Sequence, residues 1–239
     1  MAQYLHLFET EGEFNSAREN DYKEPWVSYT EDVERVDYNK PDPANGYAYV
    51  DLGLPSGTLW ATMNVGADTV TDYGDYFAWG EIEPNKATAY TWDNYKFGTR
   101  NALTKYYYND DKTTLDPEDD AANVIMGGDW HIPSMAQLVE LKENTTSSWT
   151  TDYNGTGVAG AVYTSIADIS KSIFFPAAGW LSDEGAVLEG DTFSVWVSLR
   201  DSYYIGACFL RGNANWDILA EHADRYLGTS VRGVLVPSA

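Results

Sequence analysis

Cysteine is nearly absent from the 239-residue chain. Cys208 stands alone, so no intramolecular disulfide framework exists. Positive charge is scarce too: 15 Lys and Arg face 37 Asp and Glu, for a net charge of −22. A surface that neutralises phosphates needs a basic footprint, so no nucleic-acid partner is expected, and the acidic excess reads as solvation that resists self-association. No run approaches the 18 apolar residues of a membrane span, and no membrane insertion is expected. The opening MAQYLHLFETEGEF lacks the basic and apolar regions of a secretory signal. Histidine occurs only at His6, His131 and His222. Nucleophilic catalysis wants Ser or Cys beside His and a carboxylate. Only a Cys208–His222 pair could start such a site, and no third orienting group is evident, so the chain is not expected to be an enzyme.

What is present is apolar and aromatic. Hydrophobic residues make up 44% of the chain and aromatics 15%, including 18 Tyr and 9 Trp. This is a folding composition, long enough for one core plus an appendage. Abundant Tyr and Trp with few long amphipathic periods favour β-rich structure. Residues 1–45 differ from the rest. They are charge-rich and end in the turn-forming Pro41-Asp42-Pro43-Ala44-Asn45-Gly46. An attachment or oligomerisation segment is expected there, with short strands at Tyr4–Phe8 and Trp26–Tyr29, ahead of a ligand-binding domain over 46–239.

Two helices are signalled. Asp116-Pro117 offers an N-cap followed by proline at the first helical position, predicting a helix that runs to Met126 and stops at Gly127-Gly128. Ser134 with Gln137 has capping-box spacing, and Leu138 and Leu141 then share one face. Strands are expected at Tyr47–Leu52, Thr58–Asn64, Ile173–Ala177, Phe193–Leu199, Cys208–Leu210 and Ser230–Val236. Residues 84–115 read as a polar, Tyr-rich excursion. The C-terminal stretch from Phe193 to Val234 opens on a strand around Trp196 and closes on Ser230-Val231-Arg232. Between these points no strand-and-turn pattern orders the side chains, as on a binding surface. Tyr203, Tyr204, Trp216, His222 and Tyr226 offer large contact area at low rotamer cost, and Arg200, Arg211 and Arg225 can anchor polar partners.

A series of motifs runs through residues 47–239: Val50-Asp51-Leu52-Gly53-Leu54-Pro55-Ser56-Gly57-Thr58-Leu59-Trp60-Ala61, Asn64-Val65-Gly66-Ala67, Gly74-Asp75-Tyr76-Phe77-Ala78-Trp79-Gly80-Glu81, Gly128-Asp129-Trp130-His131-Ile132-Pro133-Ser134, Phe175-Pro176-Ala177-Ala178-Gly179 and Ser230-Val231-Arg232. In this order they resemble the C-type lectin fold, in a branch common among gut-bacterial and phage proteins and related to the formylglycine-generating enzymes. The resemblance implies an α+β fold: two helices with short antiparallel sheets, rich in loops, preceded by a short N-terminal β-containing segment. The formylglycine-generating relatives use paired cysteines, so their activity does not carry over. Within the branch, the C-terminal stretch resembles the target (variable) proteins of diversity-generating retroelements, in which error-prone copying at template adenines varies surface side chains. That implies a variable region over about 193–229. Its ligand-binding positions would be Val195, Val197, Arg200, Asp201, Tyr203, Tyr204, Ile205, Gly206, Cys208, Asp217, Ile218, Leu219, His222, Asp224 and Leu227. Trp60, Trp79, Trp130, Trp196, Gly228, Ser230 and Arg232 would be framework. Diversified Asn codons ending in a pyrimidine cannot become Lys, Gln, Met, Trp or Glu; residues 193–239 contain no Lys, Gln or Met, while Trp196 and Trp216 would be framework and Glu221 framework or an exception. Gly233 departs from the proline usual at this place.

The resemblance further implies a protein or glycan receptor on a bacterial surface as partner, and a place on a virion tail fibre or a cell surface; an undiversified bacterial or pilus-associated adhesin is the alternative. Homotrimers are common among related fibre proteins, although no heptad seam marks one here. No cofactor is expected. Calcium would want clustered carboxylates, and the densest run, Asp110, Asp111, Asp116, Glu118, Asp119 and Asp120, reads first as an acidic loop and helix start.

Overall fold

The chain divides into two units, Met1–Pro41 and Asp42–Ala239. The computed structural model describes residues 44–84, 89–201 and 205–237, without the side chains of 217–221. The expected attachment segment, its two strands and His6 therefore lie outside the described residues.

The second unit is mostly β, which corrects the expected α+β C-type lectin arrangement. Among the described residues only two α-helices form, against fifteen strands: α1 (Ala121–Met126) and α2 (Met135–Glu143). Both helices are short for local reasons. Asp116-Pro117 starts only a single 3-10 turn, and α1 opens instead at Asp120, whose carboxylate accepts from the Asn123 amide at 3.0 Å. Gly127, at φ +71°, ends it. The Ser134–Gln137 capping box is formed in both directions. The extra β structure comes from polar, Thr- and Ser-rich segments without a strong apolar alternation. The largest such strands are β6 (Thr145–Thr150) and β7 (Gly160–Ser165), which pair with β8 (Ser172–Pro176) in a three-stranded sheet.

Five strands form the central sheet: β3 (Tyr76–Phe77), β11 (Phe193–Arg200), β12 (Gly206–Gly212), β13 (Asp217–Asp224) and β14 (Thr229–Ser230). Their order is β13-β12-β11-β14-β3, with β13 on one edge and β11–β14 parallel through Val195 and Ser230. A smaller sheet joins β1 (Tyr49–Asp51), β2 (Leu59–Ala61) and β15 (Val234–Leu235), and a hairpin joins β9 (Trp180–Ser182) to β10 (Gly185–Val187). The remaining pair, β4 (Gly98–Thr99) and β5 (Ala102–Leu103), sits in the expected 84–115 excursion.

β11 separates two cores. Trp196 on one face packs with Phe77, Trp79, Ala207 and Phe209; Phe193, Val195 and Val197 on the other pack with Trp60, Phe175, Cys208 and Leu210. Strands buried on both faces read as near-continuous apolar runs, as Phe193–Val197 does apart from the buried Ser194. Burying each large apolar side chain contributes roughly 1.5–3 kcal/mol. Three buried indole N–H groups are paired: Trp79 donates to the Val197 carbonyl at 2.8 Å, Trp196 to Phe77 at 2.6 Å and Trp130 to Ala44 at 2.8 Å, whereas those of Trp60 and Trp92 have no partner among the described residues. Gly233 lies tight against this core, where an added Cβ would come within 2.6 Å of Met126 Sδ.

Candidate functional site

The meander β11–β12–β13 sends its two turns to opposite ends of the sheet, and this splits the expected ligand-binding positions. The β11–β12 connection and the turn after β13 lie at one end, where Gly206 pairs with Asp224 and Cys208 with His222. At the other end Gly212 pairs with Asp217 and Arg211 with Ile218. The side chains of Asp217, Ile218 and Leu219 lie outside the described residues, as do Tyr203 and Tyr204 altogether.

Several of the remaining positions are interior, and the expectation that they face a ligand is corrected. Val195 and Val197 are 2% and 0% exposed, held in the core because β11 has covered faces and a hydrogen-bonded neighbour on each side. Gly206, Cys208 and Asp201 are buried as well. Gly206 has no room for a side chain: a Cβ would lie 3.0 Å from the Ala223 carbonyl and from an Asp201 carboxylate oxygen. Arg200 is half-buried and structural, its amide and Nε donating to the carbonyls of Thr113 and Lys112 at 2.8 Å each. Arg225, read as a surface anchor, is fully buried. Its Nε donates to the Gly206 carbonyl at 2.9 Å and its guanidinium lies over the Trp79 ring, while Nη1 and Nη2 have no hydrogen-bond partner. The expected framework residues Trp60, Trp79, Trp130, Trp196, Ser230 and Arg232 are all 0% exposed. Gly228 is fixed by contact, since a Cβ would meet the Tyr90 ring at 2.6 Å.

Cys208, His222 and Asp201 do come together. His222 Nδ1 lies 3.9 Å from Cys208 Sγ and 3.2 Å from Asp201 Oδ1. A nucleophile–base–carboxylate relay places its two partners on opposite ring nitrogens; here both approach the same one. Burial, and then the Asp201 charge, push the thiol up to about 11, away from the depressed values of reactive cysteines. The trio therefore lacks the relay geometry, with buried Cys208 and Asp201 lying beneath an exposed imidazole.

His222, Asp224 and Leu227 share a surface cleft of ≈ 350 Å³ with Trp180, Phe209, Arg211, Ala223 and Thr229. The cleft lies between the β9–β10 hairpin and the β12–β13 edge. Its far wall is hydrogen-bonded to the sheet, because Leu181 and Gly228 exchange amide–carbonyl bonds at 2.7 and 3.0 Å. Gly179 starts the hairpin at φ +59°, where a Cβ would strike the Val187 carbonyl at 2.2 Å. The Arg211 guanidinium lies over the rings of both Trp180 and Trp216, at 4.7 and 4.9 Å from their centroids. Sequence reasoning missed Trp180. It directly follows the Phe175–Gly179 motif, but nothing local shows that its hairpin bridges to Gly228, just before β14.

The acidic run is spent internally. Asp116, Glu118 and Asp119 place carboxylate oxygens within 4.8 Å of one another. Lys96, Lys105 and Lys112 meet them: Lys96 reaches Asp119 at 2.7 Å, and Lys105 and Lys112 both reach Asp116 at 2.6 Å. Burial alone would raise the Asp119 carboxyl, yet hydrogen bonds from Lys105, Lys96 and Tyr106 hold it below the usual range. Neighbouring Asp120 goes the other way: burial raises it, partly offset by amide donors from Ile132 and Asn123.

No protein-family model matches the chain, and no curated protein or solved structure matches it.

Proposed function

We propose that this is a receptor-binding protein that takes its ligand in the cleft between the β9–β10 hairpin and the β12–β13 edge, with side chains around that cleft varied by a diversity-generating retroelement. The observation that carries the reading is the convergence of His222, Asp224 and Leu227, from the stretch that resembles a variable region, on one cleft with Trp180 and Arg211. Aromatic residues and arginine are the side chains that dominate binding energy at interfaces. Placing them on a paired sheet lowers the ordering cost of association. The partner is a protein or glycan receptor on a bacterial surface, met from a virion tail fibre or a cell surface.

The diversification part is tested in the neighbouring DNA. A near-copy of the bases encoding residues 193–234, differing mainly at adenines and lying beside a reverse transcriptase, is the expected finding; its absence removes diversification. The cleft part is tested separately by Arg211→Ala. It should weaken attachment to host cells by roughly ten- to a hundredfold, and unchanged attachment would remove the cleft. One observation favours the second reading, an undiversified surface or pilus-associated adhesin using the same cleft. Val195, Val197, Asp201, Gly206 and Cys208 are interior, so much of the presumed variable region cannot vary freely.

A further inference from the structure

A second pocket, of ≈ 220 Å³, lies on the other face of the sheet, at the far end of the meander. Its walls come from two segments distant in sequence: Ser147, Ser148 and Trp149 of β6, and Asn213, Asn215 and Trp216 of the β12–β13 turn. Tyr163 and Phe193, both 1% exposed, form its floor. Both walls are held by hydrogen bonds. β6 is paired residue by residue with β7 from Thr145 to Thr150. The turn is closed by Asn213, whose Oδ1 accepts from the amides of Asn215 and Trp216 at 2.8 and 3.2 Å, and whose own amide donates to the Trp216 carbonyl at 2.8 Å.

The chemistry of the lining is selective. No lining residue carries a charge, on a chain in which 52 residues do and the net charge is −22. Two half-buried indoles, Trp149 and Trp216, face the opening with hydroxyls from Ser147 and Ser148 and the Asn215 carboxamide. Among the described residues these hydroxyls and the Asn215 side-chain amide have no partners. Hydroxyls and carboxamides both donate and accept, which matches a ligand whose own polar groups are hydroxyls. The rings supply flat apolar surface, and the volume lies below the range for drug-sized ligands, enough for one small ring. The chain's net negative charge disfavours an anion, no lysine or arginine lines the pocket to receive one, and the nearby Arg211 guanidinium is stacked on the Trp216 ring.

We infer that this pocket binds one neutral pyranose unit of a glycan. Arg211 stacks on Trp216 and so touches both sites, whereas His222 lines the first cleft and not this pocket, so His222 variants separate the two. The test is a tryptophan-fluorescence titration of the full chain with galactose, mannose and N-acetylglucosamine, and with N-acetylneuraminic acid as the charged comparison. At least one neutral sugar should quench with a Kd of about 1 mM, typical of a weak single-ring contact near −4 kcal/mol, and the acid should bind at least tenfold more weakly. Asn215→Asp changes one exposed side chain and should raise the Kd about tenfold at unchanged circular dichroism. Trp216→Ala should abolish the response, whereas His222→Ala, in the other cleft, should leave it intact. Absence of quenching by every neutral sugar, equal binding of the acid, or an unaltered Kd in Asn215→Asp would each overturn the assignment. Quenching by an uncharged peptide but by no sugar would overturn it as well, giving the pocket to a protein ligand.

Discussion

β11 and β13 lie two strands apart in one sheet, and both fall in the C-terminal stretch from which the ligand-binding positions were expected. Their tolerance for change differs because of their neighbours. β11 is hydrogen-bonded on both sides, to β12 and β14, and residues 193–197 are buried between two cores. β13 has one hydrogen-bonded neighbour among the described residues, and it carries the exposed His222 and the half-buried Asp224 into an open cleft. A binding surface that varies can be built on the second strand and not on the first. An unpatterned sequence marks freedom only where the fold leaves a face or an edge uncovered.

The strongest challenge to that contrast is a polar residue in β11. Val197→Asn buries an amide where exposure is 0%, and an unpaired buried amide costs about 2–7 kcal/mol before lost packing is added. A fall in stability of about 4 kcal/mol is expected, seen as a lower urea midpoint at unchanged slope. A loss below about 1 kcal/mol would erase the difference between the strands.

The segments after β13 and β14 extend the comparison to two buried arginines. Burial lowers both guanidinium groups from their usual range. Arg232 donates to Asn64 Oδ1, the Ala61 carbonyl and the Phe174 carbonyl at 2.9–3.1 Å. Arg225 has one well-formed acceptor, the Gly206 carbonyl, with the Tyr95 hydroxyl as a further polar neighbour and no close partner at either Nη. Replacing Arg232 with Met strands three acceptors and should destabilise by about 3 kcal/mol. Arg225→Met removes unpaired buried donors and should be neutral or stabilising by about 1 kcal/mol. Thermal midpoints that move equally would show that the hydrogen-bond difference is energetically irrelevant.

Cys208, on β12 between β11 and β13, tests whether the interior closes at that point. Its thiol is pushed up to about 11, against about 8.5 in an unfolded chain. Between those values the folded state holds the extra proton, so this group's contribution to stability is fully present below about 8.5 and is lost as pH rises toward 11. At pH 8, alkylation by iodoacetamide should be about a hundredfold slower in the native protein than in urea. Equal rates would place the thiol at the surface.

The smallest effect belongs to the edge. His222→Asn should change stability by no more than about 0.5 kcal/mol, as at ordinary surface sites. A larger loss, measured by the same urea titration, would make the imidazole's contacts with Asp201 and Cys208 structural and would withdraw β13 from the set of freely variable positions.

Much of the scaffold was legible locally. The Ser134–Gln137 box, the stop at Gly127, and strands near Leu59–Ala61, Phe193–Arg200 and Ser172–Pro176 follow from contacts a few residues apart or from apolar runs. The β6–β7 pair did not, because Thr, Ser and Gly alternate there without a strong apolar face. The candidate site was legible only in part. His222, Asp224 and Leu227 were named, but Trp180 comes from a hairpin whose docking depends on the Leu181–Gly228 bridge.

The sequence by itself determined the absence of a disulfide framework, the strong negative charge, the aromatic core residues and the Ser134–Gln137 helix cap, because each depends on composition or on neighbours along the chain. Tertiary structure alone decided which of the C-terminal strands is central and which is an edge, that Arg225 is interior, and that Asp116, Glu118 and Asp119 are taken up by three lysines. Those outcomes depend on what packs against a residue from far away in the chain, and strand pairing and side-chain burial are settled only when such partners meet.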